Sequence, residues 1–118
     1  MSKLKIGMIG LGNRGSCLLD TVLMFEESEV VAVCDGYRDR TEKAAGVVEY
    51  ASKRKPAQYN DYKDLLNDEN VEAVIIATSW DTHVTIAIDA MKAAKKTAME
   101  VGGAMSVEEC YKLVDAYE

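Results

Sequence analysis

The sequence predicts an α/β fold: a doubly wound parallel sheet in three layers, with helices on both faces. Three observations carry it. Apolar runs of strand length alternate with amphipathic stretches of helix length along all 118 residues. The connections are short, which favours right-handed crossovers and parallel pairing. The run "VEAVIIAT" at 71–78 is almost continuously apolar, as a strand buried on both faces requires.

The elements follow in order. Lys3 to Gly10 reads as a buried strand through Leu4, Ile6, Met8 and Ile9. Asn13 to about Glu27 reads as a helix, with Cys17, Leu18, Thr21, Val22 and Phe25 near helical spacing. "EVVAVCD", Glu29 to Asp35, is a valine-rich second strand ending on an acid. Thr41 to about Lys53 is a helix with Ala44, Ala45, Val48 and Ala51 on its apolar side, broken by Pro56. "AQYN" reads as a short third strand and Tyr62 to Asn67 as a short helix. After the 71–78 strand, Asp81 or Thr82 can cap a helix that carries Val84, Ala87, Ile88 and Met91 inward. "KTAMEV", Lys96 to Val101, is a fifth strand. Ser106 to Glu109, "SVEE", is a capping box opening a last helix whose apolar side is Cys110, Leu113, Val114 and Tyr117. No internal repeat or low-complexity segment interrupts this order.

The bulk numbers narrow the function. A net charge of -6 with only short basic clusters argues against nucleic acid. No apolar run approaches the roughly 18 residues of a membrane span, and the apolar start lacks a cleavage site, so a cytoplasmic location is expected. Cys17, Cys34 and Cys110 are scattered and there is one histidine, so no metal site is expected. All three cysteines read as small buried hydrophobes.

Chemistry concentrates at "IGMIGLGNRG", residues 6–15, where Gly10, Gly12 and Gly15 follow the pattern G-x-G-x-x-G between a strand and a helix. Gly10 permits a tight turn, Gly12 lets backbone approach a pyrophosphate, and Gly15 lets the helix pack on the strand. Free N–H groups and the helix dipole then face the phosphates, and Arg14 adds a cation. Asp35 lies 20 residues after Gly15, at the next strand's end. Its carboxylate suits the ribose hydroxyls of an adenosine and opposes a 2′-phosphate, which favours NAD over NADP. Arg38 and Arg40 weaken that preference, since an arginine accommodates a 2′-phosphate. The reading is a Rossmann-type, NAD(P)-binding domain over residues 1–118. Its five strands, against six in the usual dinucleotide fold, suggest the front part of a longer chain, with a short flavodoxin-like domain as the alternative.

The later strands end in "ATSWDTH" (77–83) and "MEVGGA" (99–104). With the glycines and the acid, these motifs resemble the glucose–fructose oxidoreductase, inositol dehydrogenase and MocA superfamily over essentially the whole chain. Thr78 and His83 fit its T-P-x-x-x-H pattern, with Ser79 for proline; Glu100 fits its E-K-P, with Val101 and Gly102 for lysine and proline. Valine cannot move a substrate proton as that lysine does. Asn13–Arg14–Gly15, Trp80–Asp81–Thr82–His83 and Glu100–Val101 are similar to a branch without the lysine, the NAD-dependent α-N-acetylgalactosaminidase-type glycosidases.

The resemblance implies a larger second domain that holds a sugar or polyol, and a homo-oligomer built through it. It implies hydride transfer between nicotinamide and a sugar carbon, or, for the glycosidase branch, a redox-neutral cycle in which the hydride returns. It places Asn13 and Arg14 at the pyrophosphate and Asp35 at the adenosine ribose. Thr78, Trp80, Asp81, Thr82, His83, Glu100 and Val101 then line the nicotinamide side. No residue of 1–118 is expected to be catalytic by itself. Plainer roles stay open: Asp35 as a turn-capping acid before Gly36, Trp80 as a helix-start staple, His83 bonded to a carbonyl and Glu100 as a strand end. Tyr37, Tyr59 and Tyr62 can stack near an adenine, but surface or packing positions are the expected reading. A non-catalytic NAD-sensing module is the rival from outside enzymology.

Overall fold

The computed structural model describes residues 3–78, 82–99 and 107–117, the side chains of His83 and of 107–110 excepted. Five strands, β1 (Leu4–Ile9), β2 (Ser28–Cys34), β3 (Ala57–Tyr59), β4 (Ala73–Ile76) and β5 (Lys96–Met99), form one sheet. Every pairing in it is parallel, in the order β3-β2-β1-β4-β5. The helices are α1 (Asn13–Val22), α2 (Arg38–Ser52), α3 (Tyr62–Leu66), α4 (His83–Lys92) and α5 (Val107–Tyr117). The predicted doubly wound, three-layer sheet is therefore present. Sequence order runs outward from β1 to β3, then reverses to β4, so the switch point lies between β1 and β4.

Side-chain alternation explains the two cores. One face packs Ile6, Met8, Val30 and Val33 against Leu19 of α1 and Ala44, Ala45 and Val48 of α2. The other packs Ile9, Ala32, Cys34, Val74 and Ile76 against Leu65, Leu66, Ile86, Ala87 and Ala90. A bulge interrupts the alternation. Ile6 pairs with Val30 but Gly7 with Ala32, so Val31 is the extra residue of β2. Val31 and Ala32 consequently pack toward the same core. The slip changes the parity of everything after it and sets which way the end of β2 points.

Several boundaries differ from the periodicity. α1 stops at Val22, short of Glu27, because the Glu27 carbonyl accepts the Leu4 amide at 2.9 Å and so belongs to the sheet. Its buried anchor is Leu19, whereas Cys17 and Phe25 are exposed. α2 begins three residues early, at Arg38, and ends at Ser52, before Pro56, with Lys53 as its C-cap at φ 65°. α4 buries Val84, Ile86, Ala87 and Ala90, while Ile88 and Met91 are half-buried. α5 half-buries Leu113 but exposes Val114 and Tyr117. The buried-cysteine reading holds for Cys34 and fails for Cys17. The capping-box serine, Ser106, and the Cys110 side chain lie outside the described residues. Among those residues no helix is long and apolar enough to cross a membrane.

Candidate functional site

The carboxyl ends of β1, β2, β3 and β4 open onto one crevice of about 910 Å³. Open parallel sheets bind ligands at such a place, where strand order reverses. Gly10, Gly12, Asn13, Arg14, Asp35, Thr78 and Thr82 all line it, so the structure brings these predicted residues together.

The three glycines do different work. Gly10 has φ +97°, and a Cβ there would lie 2.6 Å from the Ala77 carbonyl oxygen. A Cβ on Gly15 would lie 2.0 Å from the Gly10 carbonyl oxygen, so this glycine seats α1 on the turn. Both are demanded by the protein's own packing. Gly12 is not: a Cβ there would meet only the end of Arg40, at an ordinary 3.7 Å. Its backbone, φ -72° and ψ -163°, suits any residue. Gly12 is also the N-cap of α1, and no side chain caps that helix among the described residues. The bare surface therefore faces outward at a helix N-terminus, where an anion is favoured by about 0.3–1 kcal/mol. This fits a pyrophosphate.

Asp35 is buried, yet its carboxylate is not idle. Oδ2 accepts the Leu11 amide at 2.8 Å and Oδ1 accepts the Tyr37 amide at 2.9 Å. It thus ties the glycine turn to the start of α2. An ionised carboxylate offers about four lone-pair sites, so acceptor capacity remains for ribose hydroxyls. The Asn60 side-chain amide donates to the Asp35 carbonyl at 2.9 Å, fixing the backbone beneath. Arg40 Nη1 stands 3.8 Å from Asp35 Oδ2, with its guanidinium 4.7 Å from the Tyr37 ring centroid.

On the far wall Thr82 donates through Oγ1 to Thr78 Oγ1 at 2.7 Å. Thr82 is the N-cap residue of α4 by position, but its side chain makes no cap bond. His83 opens α4, with its side chain outside the described residues. Trp80, Asp81, Glu100 and Val101 also lie outside them.

Sequence reading missed Asn60 and Asp61 as crevice residues and preferred packing for Tyr37 and Tyr62, which also line it. The signal for the first two was present: they follow the third strand directly, at the same carboxyl edge. Tyr62 donates to Asp89 Oδ2 at 2.5 Å, and burial followed by this bond pushes its phenol up to about 12. Burial, then the Asp35 charge, pushes the Cys34 thiol up to about 12 as well. That thiol is no nucleophile at neutral pH. Among the described residues no three His, Cys, Asp or Glu side chains group to hold a metal ion.

Comparison with known proteins agrees with this geometry. Residues 4–118 match the Gfo/Idh/MocA family, described as an oxidoreductase family with an NAD-binding Rossmann fold. A protein named glycosyl hydrolase family 109 protein 1, from Shewanella sp. (strain ANA-3), is 37% identical over 100% of this chain and 27% of its own length. An alpha-N-acetylgalactosaminidase from Shewanella oneidensis is 35% identical with the same coverage of 100% and 27%. A myo-inositol dehydrogenase from Lactobacillus casei, solved with NAD(H) and myo-inositol, superposes with a TM-score of 0.88 at 26% identity. That overlap covers 97% of this chain and 33% of the other. The chain spans about a quarter of the length of the curated relatives it matches.

Proposed function

The chain belongs to the Gfo/Idh/MocA oxidoreductase family, with its NAD-binding Rossmann fold, and on that premise we propose that residues 1–118 form the NAD-binding domain of a sugar or polyol oxidoreductase. The observation that carries this reading is Gly12. It is a glycine that the protein's own packing does not require, at the end of α1 that no side chain caps among the described residues, beside an acid at the end of β2.

The backbone of 10–15, with Asn13 and Arg14, holds the pyrophosphate of NAD, and Asp35 accepts from the adenosine ribose. NAD is favoured over NADP by the Asp35 charge. Thr78 and Thr82 sit on the nicotinamide side, where the family resemblance also places Trp80, Asp81, His83, Glu100 and Val101. When bound, the nicotinamide supplies a hydride acceptor or donor. The role of this chain is to position that ring and to keep the phosphates neutralised. A second domain covers the ring face and holds the sugar or polyol, so residues 1–118 alone turn over no substrate. The full-length enzyme is cytoplasmic and homo-oligomeric through that second domain.

A second reading has its own support. The relatives named glycosyl hydrolase family 109 and alpha-N-acetylgalactosaminidase favour a redox-neutral glycosidase with resident NAD. Val101, where dehydrogenases of the family carry lysine, points the same way. The test is direct. Denaturing the purified full-length protein should release NAD. The native protein is then given p-nitrophenyl glycosides without added cofactor, and separately a panel of polyols with NAD. Glycoside cleavage selects the second reading and polyol-dependent NADH formation the first. A protein that neither carries nor binds nicotinamide nucleotide sinks both.

A further inference from the structure

We propose that the outer face of α2 is a docking surface for a second copy of this chain, the two α2 helices crossing antiparallel at Gly46. The inference does not depend on the dinucleotide reading, since Gly46, Glu49 and Tyr50 lie outside the crevice. Gly46 stands in the middle of α2, where glycine weakens a helix relative to alanine. Nothing inside the protein asks for it. It is exposed, and a Cβ there would meet no atom beyond its own helix within 4 Å. What the bare helix offers is close approach to a body outside the chain. Beside it an apolar groove of about 700 Å³ opens between the end of α1 and α2, with Leu23, Met24, Val47, Tyr50 and Ala51 in its lining. Met24 is 79% and Tyr50 82% exposed, so this apolar surface is left bare by the chain itself.

The charges on this face select the occupant. Residues three, four and seven positions from Gly46 share its side of the helix. They are Asp39, Glu42 and Lys43 before it and Glu49, Tyr50 and Lys53 after it, all exposed. A two-fold axis at Gly46 that reverses the helix brings together residues equally far before and after it. Lys43 then meets the partner's Glu49, and Asp39 meets the partner's Lys53. Glu42 meets the partner's Tyr50, whose hydroxyl is a donor. Each contact occurs twice, as an isologous interface requires, and each charged pair has opposite signs. A parallel crossing would set Lys43 against Lys43 and Glu49 against Glu49, and repulsion excludes it. Asp39, Lys43 and Glu49 form no ion pair with one another or with any other side chain among the described residues, so their charges are available to a partner. This contact is separate from the oligomer contact assigned above to the second domain.

The test is sedimentation equilibrium of the full-length protein at micromolar concentration, with circular dichroism to check that each variant is folded. Lys43→Glu places like charges opposite each other at both ends of the crossing and should halve the mass of the assembly. Glu49→Lys should do the same. The double variant Lys43→Glu/Glu49→Lys exchanges the two signs and should restore the wild-type mass. Gly46→Leu fills the crossing point, favours the helix itself and should also halve the mass. Restoration by the charge exchange is the decisive result, because damage to the fold by one variant would not be repaired by the other. A monomeric wild type, a wild-type mass in Lys43→Glu or Gly46→Leu, or a double variant that stays dissociated overturns the inference. A second domain that covers α2 within its own chain would leave every mass unchanged, which also overturns it.

Discussion

The Leu11 amide donates to Asp35 Oδ2 at 2.8 Å, joining the glycine turn after β1 to the end of β2 inside the protein. The acid that sequence assigns to a ligand is thus also a structural tie. Asp35→Ala leaves the Leu11 and Tyr37 amides without their acceptor, and an unsatisfied buried donor costs about 1–3 kcal/mol. Chemical denaturation should show a loss of that size. Binding of both dinucleotides should weaken, NAD more than NADP, because only NAD loses its acceptor without also losing a repulsion. Unchanged stability together with weaker NAD binding would restrict Asp35 to ligand contact.

Gly15→Ala and Gly12→Ala should part company. The first places a methyl 2.0 Å from a backbone oxygen, so α1 must shift. A loss at or above the roughly 1–3 kcal/mol of core overpacking is expected. The second meets nothing closer than 3.7 Å, and its backbone suits alanine. Its stability should fall by no more than about 1 kcal/mol, because alanine is a poorer N-cap than glycine and the stiffer unfolded chain offsets part of that loss. Dinucleotide binding should nonetheless fall at least about tenfold. Normal binding by Gly12→Ala would show that nothing approaches that backbone.

Thiol labelling should follow burial. Cys17 is exposed and Cys34 is buried with its thiol pushed up to about 12. A maleimide reagent at neutral pH, with peptide mapping, should modify Cys17 within minutes and Cys34 only on unfolding. Early labelling of Cys34 would mean that the end of β2 opens readily.

The Tyr62–Asp89 bond predicts an alkaline limb. The folded phenol titrates at about 12, above its usual value of 10.0. Folding therefore disfavours phenolate. Its contribution is fully present below about pH 10 and is lost as pH rises toward 12, because the unfolded chain releases the proton first. Tyr62→Phe should flatten stability against pH across that window. Tyr59, raised in the same direction chiefly by its bond to Asp68, leaves a residual slope. A slope unaltered in Tyr62→Phe would assign the whole limb elsewhere.

The alternation of strand and helix, the parallel sheet, the glycine turn and the acid at the end of the second strand were all legible in the residues. Each is a local consequence of period, backbone freedom or side-chain type. Other features arise between segments distant in the chain. The end of α1 is set by a Leu4–Glu27 backbone bond, which no helical period encodes. Asn60 reaches the site only because β3 pairs beside β2. Arg38 and Arg40 are chemically equivalent in sequence and separate only when α2 turns one toward Glu42 and the other over the glycine turn. Pattern and composition determined the layers and the place where a phosphate is welcome. Tertiary packing decided which charge faces it, because direction in space depends on sheet register and helix seating, and these follow from contacts across the whole chain.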